Sequence, residues 1–172
     1  LAALPKEIEA NPHGFNWQRQ PWFDVACCPT NIVRFLPSIP GFIYSKNKTS
    51  VSINLYIQSK VVIDLNGHRL TINQKNSQPW DDKCFIEVDN ESKKDIKLFL
   101  RVPYWSNKIK VKLNNKLKRL KVSKGYCSLI IPMNSKSKLD VDLGMDINVI
   151  DSNPNVRQNF GKQAIQRGPM IY

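Results

Sequence analysis

From position 51 to position 143 the apolar residues of this chain keep returning at every second place. Val51, Ile53, Leu55 and Ile57 alternate with Ser52, Asn54 and Tyr56, the two-residue period of a strand with one buried and one solvated face. Further strand-like runs lie at 61–65, 69–73, 84–88, 95–102, 108–113, 126–132, 138–143 and 148–151. Turn residues separate them. Asn66-Gly67 tolerates positive φ at both positions and predicts a type I′ hairpin into 69–73. Short strands at this spacing, with a single convincing helix, predict a mainly β fold, a β-sandwich of jelly-roll type. At 172 residues and 41% hydrophobic content the chain fits about one domain with a core of its own.

The helix lies ahead of the strands, in Trp22-Phe23-Asp24-Val25-Ala26-Cys27-Cys28-Pro29-Thr30-Asn31-Ile32-Val33-Arg34. Ile32, Val33, Phe35, Leu36 and Ile39 repeat at spacings of three and four, which makes one apolar stripe. Cys28 is expected at the N-cap and Pro29 in the first turn, where a missing N–H costs nothing. Both sulfurs then sit at the positive end of a helix dipole, which favours thiolate, the form that attacks carbon or binds metal. A disulfide between sequence neighbours is strained; two small buried hydrophobes remain the plain alternative. Pro37 predicts a kink or stop near Phe35 or Leu36, and Pro40-Gly41 is expected to end the element.

The remaining features carry less. Residues 1–21 hold Pro5, Pro12 and Pro21 among polar neighbours and read as an irregular segment. His13 within it lacks a partner at metal-ligand spacing and reads as a surface residue. Cys84 and Cys127 fall in strand-like runs and read as core residues; no CxxC pair or His-rich tract is present. The formal charge of +12 invites a nucleic-acid partner, above all at 108–124. Yet Ile109, Val111 and Leu113 alternate with Lys108, Lys110 and Lys112, so a lysine-rich hairpin with a solvated face is expected and no specific nucleic acid. No aromatic residues are interleaved with these lysines, as single-strand binding requires. No apolar run approaches the ~20 residues of a membrane-spanning helix, and a soluble protein, cytoplasmic or exported, is expected.

The string Cys27-Cys28-Pro29-Thr30-Asn31 with Arg34, preceded by Trp22-Phe23 and followed by Phe42-Ile43-Tyr44-Ser45, resembles the Cys-Cys-Pro-Pro-Asn segment of glycoside hydrolase family 127, the β-L-arabinofuranosidase-like enzymes. Further matching stretches follow in the family's order. They are 51–57, Pro79-Trp80-Asp81, Leu100-Arg101-Val102-Pro103-Tyr104-Trp105, Gly125-Tyr126, Asn159-Phe160-Gly161-Lys162 and the closing Arg167-Gly168-Pro169-Met170-Ile171-Tyr172. Starting at Leu1 without an initiator Met and stopping within that pattern, the chain is expected to be a fragment.

The resemblance implies a catalytic (α/α) barrel of which residues 1–44 are the C-terminal tail, with 45–172 as the sandwich. It implies Cys27 as the nucleophile on the anomeric carbon of an arabinofuranoside, and zinc held by Cys27 and Cys28 with further ligands from the barrel. Asn31 and Arg34 match motif positions and are candidates to face the sugar or orient the loop. Thr30 replaces the second proline of the family pattern, and Asp24-Val25 stands where the family often has Gly-Cys. The general acid belongs to the absent barrel, and Glu7, Glu9, Glu87 and Glu91 match no acid or zinc-ligand motif. The expected partners are therefore an arabinose-containing or related glycan and the missing barrel domain, with the fragment alone inactive. The alternative is a non-catalytic carbohydrate-binding or accessory sandwich using Trp80 and Trp105, large aromatics that burial against a neighbouring domain explains equally well.

Overall fold

A computed structural model describes residues 27–172, with side chains from Pro29 onward. The expected irregular segment 1–21 and His13 lie outside the described residues. The chain divides into two compact units between Ile39 and Pro40.

In the first unit, helix α1 spans Cys27–Phe35 and passes into a 3-10 turn at Leu36–Ser38. Pro37 explains the stop at Phe35, since its ring displaces the carbonyl one turn back and it has no N–H to donate. Ser38 Oγ instead caps the Phe35 carbonyl at 2.6 Å.

The second unit opens with a short helix α2, Pro40–Ile43. The preceding helical element is over by Ser38, ahead of Pro40-Gly41 as expected, and Pro40 begins a new short helix, because its fixed φ suits the first helical position. Thirteen strands follow. They are β1 Tyr44–Lys46, β2 Ser50–Ile53, β3 Ser59–Asp64, β4 Arg69–Asn76, β5 Lys83–Asn90, β6 Ile96–Arg101, β7 Lys110–Leu113, β8 Lys116–Lys118, β9 Tyr126–Ile131, β10 Ser135–Asp142, β11 Ile147–Asp151, β12 Gln163–Arg167 and β13 Met170–Ile171. They form a four-stranded sheet ordered β1-β2-β6-β9, a six-stranded sheet ordered β3-β4-β5-β10-β7-β8, and a three-stranded sheet ordered β11-β12-β13. All pairs are antiparallel except β2 with β6.

The two larger sheets share one core, as the sandwich expectation requires. Val51, Ile53, Leu98, Leu100, Leu129 and Ile131 of one sheet join Leu70, Ile72, Ile86, Val88, Leu139 and Val141 of the other in a single buried cluster. Alternation delivers this, because every second side chain of a strand faces the partner sheet. The predicted hairpin is present: Asn66 and Gly67 have φ of 57° and 80° between β3 and β4. A second turn of the same sign, Asn114 and Asn115 at 49° and 64°, joins β7 to β8.

One predicted strand is cut short. The run 51–57 leaves the ladder after Ile53, where the Asn54 N–H donates to the Ile43 carbonyl at 2.8 Å. The alternation slips there, so Tyr56 is buried and Ile57 exposed. The Tyr56 hydroxyl reaches the Arg101 carbonyl at 2.7 Å, which satisfies its polar end inside the core.

The lysine-rich hairpin is β7–β8, with Lys110, Lys112, Lys116 and Lys118 exposed around buried Val111. Register explains where these charges go. Lys112 and Lys110 stand opposite Asp140 and Asp142 of β10. On its other side β10 places Lys138 opposite Glu87 and Lys136 opposite Asp89, the latter at 3.4 Å. Opposite charges facing across strands are mildly stabilising, and they leave less uncompensated positive surface than the composition suggests.

Leu98 lies fully buried on β6, an inner strand of the four-stranded sheet. Leu98→Ala is expected to lower unfolding free energy by about 3 kcal/mol through lost burial and a residual cavity, read from urea denaturation midpoints. Leu117→Ala, on the exposed edge strand β8, is expected to stay within about 0.5 kcal/mol of the parent in the same measurement.

Candidate active-site segment

The neighbouring cysteines belong to α1, whose backbone is helical from Cys27 onward. Cys28 therefore lies inside the helix, one position further in than the predicted cap. The described part of α1 thus includes the backbone of both cysteines.

One turn along, Arg34 and Asn31 form a pair in which Arg34 Nη2 donates to Asn31 Oδ1. Both side chains are exposed, as are Ile32, Val33, Phe35 and Leu36 of the apolar stripe. The two polar candidates of the sequence are therefore in direct contact, and both fall on the cysteine-bearing helix.

The other two cysteines lie in the sandwich. Cys84 and Cys127 are buried in the sandwich core, as their strand positions predicted. Burial pushes the Cys84 thiol from 9.0 up to about 11, against a weaker downward pull from the Asn76 side chain. Cys127 is raised for the same reason. Near neutral pH both are protonated, so neither is a nucleophile or a metal ligand.

Among the described residues no group of three or more His, Cys, Asp or Glu side chains is placed to hold a metal. Two adjacent thiols are the donor type that zinc prefers, and amount to half of a tetrahedral set. The fit is therefore partial: the residue types suit zinc and their number does not complete a site.

The sandwich carries its own aromatic group. Trp80 and Tyr104 are 66% and 83% exposed, whereas Trp105 is half-buried against the core. Arg167 Nη1 donates to the Trp80 carbonyl at 3.1 Å, and Gln166 Nε2 lies 3.4 Å from the Tyr104 hydroxyl. Consecutive residues of β12 thereby tie down the loops that carry both exposed aromatics. Sequence reasoning singled out Trp80 but missed Tyr104 and Gln166, since no local pattern joins positions 62 residues apart.

Residues 50–145, from β2 through β10, match the family model described as β-L-arabinofuranosidase, GH127 middle domain. The non-reducing end β-L-arabinofuranosidase of Bifidobacterium longum subsp. longum is 27% identical over 161 residues, which are 90% of this chain and 24% of that protein. Among solved structures, a GH127 β-L-arabinofuranosidase from Geobacillus stearothermophilus T6 superposes with a TM-score of 0.86 at 28% identity, covering 98% of this chain and 27% of that one. A second GH127 β-arabinofuranosidase gives a TM-score of 0.80 at 27% identity over 90% of this chain and 27% of its own. The chain spans about a quarter of the length of these relatives.

The contrast between the two kinds of cysteine is measurable. Peptide mapping after treatment with a thiol reagent near neutral pH is expected to find Cys84 and Cys127 unmodified in the folded protein and modified in denaturant. Because the folded-state value of Cys84 is raised, its contribution to stability is complete below pH 9.0 and is lost as pH climbs through about 11. Urea midpoints are expected to fall across that window, and less steeply in Cys84→Ala.

Proposed function

The chain belongs to glycoside hydrolase family 127, and on that footing we propose that it is part of a retaining glycoside hydrolase acting on β-L-arabinofuranosides, with Cys27 as the attacking group. The carrying observation is the Cys27-Cys28-Pro29 string, which lies on helix α1 and precedes in sequence the stretch that matches the family's middle domain. Two relatives aligned with 90% or more of this chain carry the name β-L-arabinofuranosidase.

In this reading residues 1–44 are the tail of a catalytic (α/α) barrel and 45–172 the sandwich that supports it. The Cys27 thiolate displaces the leaving oxygen from the anomeric carbon, so that a C–S bond forms as the C–O bond breaks. Water then displaces the sulfur, and the two inversions together retain configuration, with sulfur in the place of the usual carboxylate nucleophile. The leaving oxygen takes its proton from a general acid in the remainder of the longer protein. Cys27 and Cys28 would hold zinc with donors from that remainder, and the metal would keep sulfur deprotonated near neutral pH. Asn31 and Arg34 would face the sugar from the same helix. The 172-residue chain by itself lacks the acid and two of the metal donors, and is inactive in this reading.

The exposure of Trp80 and Tyr104 favours a second reading, a glycan-binding accessory sandwich. Its signature is retention of the chain on an arabinan column that disappears in a Trp80→Ala, Tyr104→Ala double variant with an unchanged melting temperature.

The catalytic reading is tested in the full-length protein with an aryl β-L-arabinofuranoside. Cys27→Ser is expected to lower kcat/KM by about three orders of magnitude or more, and wild type to carry close to one zinc per chain. A serine variant that stays active, or a wild type inactive on every furanoside tried, overturns it. The isolated chain is expected to turn over none of the substrate.

A further inference from the structure

Between Asp95 and Asp140 the chain carries no acidic residue, although lysine and arginine recur throughout that stretch. Strand pairing decides which of these charges are answered. Lys110 and Lys112 of β7 stand opposite Asp142 and Asp140, and the ion pairs among the described residues are Lys108 with Asp146 and Lys136 with Asp89. Lys116, Lys118, Arg119, Lys121 and Lys124 take part in neither, and all of them are exposed.

Register explains why this second group stays unanswered. Leu117 stands opposite Lys112 and shares the outer face with Asp140, whereas Lys116 and Lys118 stand opposite Leu113 and Val111 and point to the other face. Because β8 is the edge of its sheet, no further strand supplies an acid beside them. The backbone that carries these cations is held along its length. Asn114 and Asn115 form the turn into β8, Leu120 packs against the core, and Ser123 exchanges backbone hydrogen bonds of 2.8 and 3.0 Å with Tyr126. Its ordering is complete before any partner arrives, which lowers the cost of binding.

We propose that residues 116–124 form a docking surface for a carboxylate-bearing polysaccharide. Cations in excess of neighbouring acids attract a polyanion, and lysine, which outnumbers arginine here, is a hydrated point charge suited to carboxylates met in water rather than to the forked reading of phosphate. No aromatic residue lies between Lys108 and Lys124 to stack a nucleic-acid base. Leu117 and Val122 are the exposed large apolar side chains of the segment, too little area to anchor it in a lipid surface. The choice of a glycan as the polyanion rests on the reading of the longer protein as a glycoside hydrolase; the charge complementarity does not.

The experiment measures binding of the full-length protein to immobilised polygalacturonate, with the methyl-esterified, uncharged polymer as control. Wild type is expected to bind the acidic polymer alone, with an affinity that falls about tenfold between ~50 and ~200 mM salt. Lys116→Gln, Lys118→Gln, Arg119→Gln and Lys121→Gln combined are expected to weaken binding about tenfold at low salt, with an unchanged melting temperature. The same charge removed elsewhere, by Lys60→Gln, Lys75→Gln, Lys93→Gln and Lys94→Gln at exposed positions, is expected to weaken it by about twofold at most. Equal losses in the two variants assign the binding to net charge and overturn the docking surface, as does undiminished binding in the first variant or equal binding of the methyl ester. A loss confined to single-stranded DNA or to phosphatidylserine vesicles, with polygalacturonate binding intact, overturns it in favour of that other partner. These readouts use no turnover, so the docking surface and the catalytic reading fail separately: Cys27→Ser tests the second, and both charge variants are expected to keep the wild-type rate on an aryl β-L-arabinofuranoside.

Discussion

The buried seam between the two larger sheets is the constraint on which the second unit depends. Strands of two to eight residues cannot bury an apolar face alone, so those of the two larger sheets gain stability by presenting their inward residues to the opposite sheet. The eight-residue pairing of β5 with β10, flanked by β4 and β7, supplies one wall. β2, β6 and β9 supply the inward residues of the other. A dry seam then dictates what its buried polar groups do. Gln74 is fully buried and spends its amide on the Tyr44 hydroxyl and the Leu55 carbonyl, at 2.9 and 3.2 Å. Asn90, equally buried, donates to the carbonyls of Lys94 and Pro132 at 3.1 and 2.9 Å, which fixes two loops at one end of the sandwich. An unpaired amide in such a place costs more than the net value of the bond, so these contacts are costly to break.

Four cysteines of identical covalent structure are divided by environment into two kinds. Desolvation inside the seam keeps the thiols of Cys84 and Cys127 protonated. Cys27 and Cys28 belong instead to helix α1, outside that seam's strands.

Much of this was legible in the chain. The nine strand-like runs all contain strands, the Asn66-Gly67 turn has the predicted sign of φ at both positions, and α1 stops where Pro37 required. The strands that escaped notice lack the signal. β1 and β8 are three residues each and β13 is two, too short for alternation, and β8 reads Lys-Leu-Lys; β12, Gln163–Arg167, was missed as well, because Gln-Ala-Ile-Gln-Arg has Ile165 as its only large apolar residue. The slip after Ile53 was also invisible, because it depends on the Ile43 carbonyl, an acceptor that only the folded chain brings near. At the candidate site the residue types and their spacing were legible, and the hydrogen bond joining Arg34 to Asn31 was not.

By itself the sequence determined period and punctuation: which side chains face inward, where turns of positive φ fall, and that a helix carries the two neighbouring cysteines. These are local properties, set within a few residues by backbone sterics and hydrophobic alternation. Tertiary structure alone decided that β10 inserts between β5 and β7, that β2 runs parallel to β6, and that β12 ties down loops carrying Trp80 and Tyr104. Those choices rest on contacts between residues tens of positions apart, where the free energy comes from the fit of whole sheets across a shared core and leaves no mark in any short stretch of chain.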